Sequence, residues 1–390
     1  MLYLTDNKRV FYLALVILAL KVIISCDPNK EPDLSPVYKP TPYSIPIPQG
    51  FPTKMNIPSD NPMTIEGIEL GRYLFYDGRL SGRTHPDSLM SCATCHLQDR
   101  SFECGIDHPV YLNGFTHGLT GKPTPHVMLP LINLVWNQNG YLWNGRISES
   151  NPDLRFRNIE DLVWMGVLAE HEMHGDTNRV KDLFGNIPEY RELFRKAFGT
   201  DGVTMKRISM AVAQFIRTLI SSGSKFDRYI RGEVQLAPSE LRGYVLFMTE
   251  EGADCFHCHG GAGNPLFTTN LFYNNGKDAE FEGEKDRYSY TGNQMDKGAY
   301  KASTLRNIEF TGPYMHDGRF STLEQVIDFY AHDLVWTPYI DPLMHHIANG
   351  GNQLIPSEKE DLLAFLLSLS DTTFITNPAF GKPDKFPDGQ

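Results

Sequence analysis

Two short segments constrain this chain more than anything else in it. Cys92-Ala93-Thr94-Cys95-His96 and Cys255-Phe256-His257-Cys258-His259 both read Cys-x-x-Cys-His. At that spacing two thiols can add to the vinyl groups of one porphyrin while the next residue's imidazole reaches the iron. A zinc site would want its cysteine pairs closer together, and a dithiol redox pair needs neither His96 nor His259. With 6 cysteines and 13 histidines in 390 residues, two such matches by chance are rare. The expected cofactors are two haem c groups. Cys92, Cys95, Cys255 and Cys258 form the thioethers, and His96 and His259 are the proximal iron ligands.

The rest of the chain fits a duplicated unit. The motifs start about one domain length apart. Ile208, Val212, Phe215 and Leu219 form an apolar helical stripe after the first motif. Leu241, Val245 and Met248 fall on one helical face before the second, and Leu362, Phe365, Leu366 and Leu369 on another after it. Ser357-Glu358-Lys359-Glu360 reads as a capping box opening that last helix. Strand signals are sparse. The expected fold is mainly α: two tandem cytochrome c-like domains, 63–225 and 226–375, each around one covalent haem, with a tail at 376–390. Cys104 is left without a partner and reads as a buried free thiol.

The N-terminus reads as an address. Lys8 and Arg9 precede an apolar run from Val10 to Ile24, about fifteen residues, where a membrane span needs roughly 20. The run ends Ile23-Ile24-Ser25-Cys26, which resembles a bacterial lipobox. Residues 1–25 are thus expected to be a lipoprotein signal peptide and Cys26 the lipid attachment point. Acyl chains would hold an exported protein at a membrane surface, in the periplasm or cell envelope. Ten prolines between Pro28 and Pro62 make 26–62 an expected tether. Net charge is −11, which excludes an electrostatic footprint for nucleic acid.

Further blocks carry a family resemblance. They are Leu142-Trp143-Asn144-Gly145-Arg146, Ser224-Lys225-Phe226-Asp227-Arg228, Ser303-Thr304-Leu305-Arg306-Asn307 and Gly312-Pro313-Tyr314-Met315-His316-Asp317-Gly318. With the haem motifs, in this order from Ile65 to Asp371, the chain resembles the bacterial dihaem cytochrome c peroxidases, a family that includes the methylamine-utilisation enzyme MauG. The resemblance implies that the His96 haem is the peroxide site and the His259 haem a six-coordinate electron relay. It places Glu172, in His171-Glu172-Met173-His174, at the acid–base position. His117, in Thr116-His117-Gly118, becomes a candidate removable distal ligand of the first haem, with His126 a weaker competitor. Tyr330 falls at the distal-ligand position of the second haem, with Met315 or Met344 as the alternatives. Trp143 falls between the haems as a candidate hole carrier.

Two positions depart from the family pattern. The distal-pocket glutamine is replaced by Leu162. The family holds one Ca²⁺ between its domains, for which Thr311 and Pro313 would supply carbonyls, but the asparagine that completes that site reads Val127. A hard cation needs six or more oxygens, so calcium is disfavoured.

The implied activity is reduction of H₂O₂ to water at the first haem, with electrons from a small donor protein of the cytochrome c or cupredoxin type. The alternatives are MauG-like oxidation of a protein side chain, and a dihaem electron-transfer protein with no turnover. The family also allows a homodimer.

Overall fold

The structure, a computed structural model, describes residues 39–390 except 152–155, 262 and 282–284. The apolar leader and Cys26 lie outside the described residues. Lys39–Gln390 forms one compact unit.

The unit is built twice on the same plan, a helix crossing a later helix with a haem-motif turn between them. In the first half α1 (Ile65–Tyr76) crosses α5 (Met205–Arg217). A Cβ on Gly71 would lie 1.9 Å from the Ala211 carbonyl oxygen, so this crossing requires glycine. Between them run α2 (Ile159–Leu168), α3 (Thr177–Gly185) and α4 (Pro188–Phe198). In the second half α7 (Pro238–Phe247) crosses α11 (Pro356–Leu367). Here Gly243 repeats the device: its Cβ would meet the Asp361 carbonyl oxygen at 1.9 Å. Also in this half are α6 (Lys225–Ile230), α8 (Phe256–His259), α9 (Tyr288–Thr291) and α10 (Leu323–His332). Among the described residues strand is confined to two short antiparallel ribbons, β1 (Tyr111–Leu112) with β2 (Phe115–Thr116) and β3 (Phe272–Tyr273) with β4 (Tyr300–Lys301). Among the described residues no helix is long and apolar enough to cross a membrane.

The stripe Ile208, Val212, Phe215 and Leu219 is buried, as are Leu362, Phe365, Leu366 and Leu369. The face expected for α7 is not the buried one. Leu241 and Val245 are exposed, and Gly243 and Phe247 face the core instead. Close backbone approach to α11 outweighs the apolar spacing there. The last helix also caps differently: the Ile355 N–H donates to Glu358, and Pro356 takes the first helical position. Cys104 is buried and free, as expected.

The domain boundaries need two corrections. Residues 39–62, expected as part of a tether, are packed. Ile45 and Phe51 join Val135 and Trp136 of the first half and Leu266 of the second in one apolar cluster. The Trp136 indole donates to the Pro52 carbonyl at 2.6 Å. Proline-rich chain is stiff, and here that stiffness seats apolar side chains between the halves. The segment after α11 also leaves its own domain. α12 (Thr372–Ile375) places Phe374 in the first core, 5.8 Å from Phe102. Arg72 and Tyr76 donate to the Pro378, Gly381 and Phe380 carbonyls, and Arg79 pairs with Asp388 at 2.5 Å.

A buried arginine ties elements together in each half. Arg217 bridges Glu160 on α2 (2.8 Å) and the Asn56 carbonyl. Arg306 pairs with Asp227 on α6 (2.6 Å) and donates to the Pro265 carbonyl. Removing either carboxylate would leave a buried, uncompensated guanidinium.

Candidate haem sites

The first motif winds as a single 3₁₀ turn, with the His96 N–H donating to the Cys92 carbonyl at 2.9 Å. That turn puts Cys92, Cys95 and His96 on the wall of one cavity of about 560 Å³. The His96 Nδ1–H donates to the Phe102 carbonyl at 2.6 Å, which leaves Nε2 free as a metal donor. Ser101 and Phe102 both hold positive φ, 56° and 62°, and this turn is what aims the carbonyl at the ring. Backbone held in so sparsely populated a region is over-determined by its surroundings, here Phe75 and Phe374 against the Phe102 ring.

Glu172 lines the same cavity. It follows α2, and its N–H donates to the Ala169 carbonyl at 3.0 Å. Gly166 makes room for it, since a Cβ there would stand 2.9 Å from the Glu172 carboxylate. Desolvation raises the carboxyl to about 7, against a weaker opposing pull from Arg146. The His171 ring lies 3.8 Å away. Trp143 and Leu162 also face the cavity. The Trp143 indole donates to the Val127 carbonyl at 3.0 Å, and its own carbonyl accepts from Lys301 of β4 at 2.8 Å. Trp143 therefore sits where the two halves are stitched together. Val127 is buried and brings no side-chain oxygen, as its sequence position implied.

His117 lies off the cavity wall. Thr116 and Gly118 line the cavity but His117 does not, and its Nδ1 lies 3.0 Å from the Phe115 carbonyl of its own ribbon. Alternation along extended chain turns every second side chain away, and His117 is on the wrong parity. His126 is on the cavity wall instead, and its Nε2 is buried without a hydrogen-bond partner among the described residues. Sequence reasoning also missed Lys301. Its amine lines the cavity, held by the Asn270 carbonyl (3.0 Å) and the Phe272 ring rather than by a carboxylate. Burial, with Arg287 nearby, pulls it down to about 7. No sequence signal marks a lysine as buried, because the packing that hides it comes from distant chain.

The second motif occupies α8. The His259 Nδ1–H donates to the Ser303 carbonyl at 3.1 Å, again leaving Nε2 free. Tyr330, on α10, has its phenol oxygen 2.9 Å from the Asn275 amide nitrogen, and the same nitrogen lies 3.9 Å from the Met315 sulfur. Burial raises the Tyr330 phenol well above its usual range, and the Cys258 and Cys255 thiols add to the effect. Tyr330 and Met315, two of the three candidates, thus meet at Asn275.

These residues fit covalent haem. Each motif offers paired thiols and a carbonyl-oriented imidazole, and the first opens on a cavity whose buried lysine suits a macrocycle bearing propionates. The fold and the two sites define a dihaem c-type protein. A family model described as di-haem cytochrome c peroxidase matches residues 65–235. The chain is 30% identical over 319 residues to the methylamine utilization protein MauG of Methylophilus methylotrophus, covering 82% of this chain and 86% of that one. It is 33% identical over 272 residues to the cytochrome c551 peroxidase of Nitrosomonas europaea, covering 68% and 73%. Among solved structures, a MauG-like protein associated with microbial copper homeostasis superposes with a TM-score of 0.72 at 30% identity, covering 87% of this chain and 99% of that one. The chain belongs to the di-haem cytochrome c peroxidase family, whose members include MauG, and is an oxidoreductase carrying two haem c groups.

Proposed function

We propose that this protein reduces hydrogen peroxide to water at the His96 site, with electrons arriving through the His259 site from a small donor protein. One observation carries the reading. A half-buried carboxyl whose proton affinity is raised to near neutrality, Glu172, lines the same cavity as the His96 motif. Haem held there by Cys92, Cys95 and His96 would supply the redox chemistry. Glu172 accepts a proton from one peroxide oxygen and returns it to the other, and a pKa near 7 suits both transfers at neutral pH. Leu162 and Trp143 keep the cavity wall apolar, which sustains the desolvation. Trp143, joined to the second half through the Lys301 backbone, carries charge between the two sites.

Tyr330 is proposed as the distal ligand of the second haem. A phenolate there is an anionic donor and lowers the haem potential relative to methionine. Cys26 is proposed as a lipidated anchor that keeps the protein at a membrane surface. The test of the activity is steady-state H₂O₂ consumption by the holoprotein with a reduced donor. Turnover supports the reading. Absent turnover, with the first haem still low-spin after half-reduction, identifies a relay instead.

A further inference from the structure

A cluster outside both haem cavities has the layout of a metal centre. Glu250, His257 and His345 each offer a donor atom within 4.8 Å of the others. Glu250 and His257 lie on one segment, His257 inside the second haem motif, and His345 comes from the distant 3₁₀ turn His345–Asn349.

What lifts this above coincidence is Asp254. Its carboxylate, 5% exposed, accepts from the Nδ1–H of His257 at 2.6 Å through one oxygen and from the Nδ1–H of His345 at 3.0 Å through the other. One buried acid thus fixes the tautomer of both rings and leaves both Nε2 atoms to a cation, the outer-shell arrangement that histidine metal ligands use. The rings stand at 90° with centroids 5.0 Å apart, an edge-to-face pair rather than a stack. Asp254 itself holds φ +55°, a strained backbone for a non-glycine residue, at the point where the acid is presented to both rings. The Glu250 carboxylate is 3.6 Å from the His257 Nε2, near the roughly 3.3 Å that separates two ligands of a tetrahedral ion with bonds of about 2.0–2.1 Å. The Glu250 backbone is pinned in turn, its carbonyl 2.6 Å from the His346 Nε2.

We infer that Glu250, His257 and His345 bind one divalent first-row transition ion of the Zn²⁺ class, with solvent as fourth ligand and Asp254 as the positioning residue. Two imidazoles and one carboxylate with an open position suit such an ion and not a hard cation. The ion would staple the 345–349 turn to the segment that carries the second haem, independently of peroxide chemistry at the first.

The experiment is calorimetric titration of the untagged holoprotein, both haems attached, with Zn²⁺ alone. One ion per chain is expected to bind, with His345→Ala and Glu250→Gln each weakening it at least 10-fold. Asp254→Asn, which touches no ion, should weaken it about 10- to 100-fold. Haem spectra check that each variant is folded, and His345 and Glu250 are exposed enough for substitution to leave the core intact. Failure of the wild type to bind Zn²⁺ below about 100 µM overturns the assignment. So does binding of unchanged stoichiometry and affinity in His345→Ala and Glu250→Gln.

Discussion

Glu172 is where a single residue decides most. Its folded pKa of about 7 lies above the ordinary carboxylate value, so the native state binds the proton more tightly than the unfolded chain does. Stability from this group is therefore fully present at low pH and is lost as pH rises through about 7. Activity runs the other way, because proton acceptance needs the carboxylate, and peroxide turnover should climb as pH passes the same point. Glu172→Gln should cut turnover by about 10²-fold or more. In thermal melts at pH 8 it should be at least as stable as wild type, and the two should draw together as pH falls below the ordinary carboxylate value of 4.5. A turnover rate unchanged by this substitution removes Glu172 from the chemistry. Tyr330→Met should raise the potential of the second haem, read by redox titration and by electron paramagnetic resonance. An unchanged potential and spectrum would point to Met315 or Met344 instead. Glu172 reaches the wall of the first motif's cavity, as its register in the sequence led one to expect. His117 lies off that wall, because a motif does not report the parity of the strand that carries it.

At the scale of elements, glycine governs the two principal helix crossings. Gly243→Ala forces a methyl group against the Asp361 carbonyl, so α7 must move off α11. The expected cost is about 1–3 kcal/mol, seen as a lowered Tm with a disturbed second-haem spectrum and an unaltered first. Leu241→Glu, on the exposed face of the same helix, should shift stability by less than about 0.5 kcal/mol. The stripes on α5 and α11 were readable in the sequence because packing there follows side-chain volume. α7 was misread because its contact is made through the side chain that Gly243 lacks, leaving Leu241 and Val245 outside. The duplicated plan was legible from the two haem motifs, whereas the packing of 39–62 was not. Proline content predicts stiffness but not what a stiff segment rests upon.

Across the whole molecule the two halves are less separate than their motifs suggest. Phe374 follows the last helix of the second half, yet it packs on Phe102, whose carbonyl orients His96. Phe374→Ala should therefore cost about 3–5 kcal/mol and perturb the first haem, distant in sequence, more than the second. Deleting 376–390 removes the Arg79–Asp388 pair and the carbonyl acceptors of Arg72 and Tyr76. Hydrogen exchange should then lose protection across α1 and the first motif while α7 and α11 keep theirs. Equal loss in both halves would show that the tail stabilises the molecule generally rather than the first core.

The return of Phe374 to the first core also sets an order of assembly. The ring that backs Phe102, and so helps hold the carbonyl aimed at His96, comes from chain made after the whole of the second half. The first motif is therefore the earlier of the two to be synthesised and the later to have its histidine fully braced.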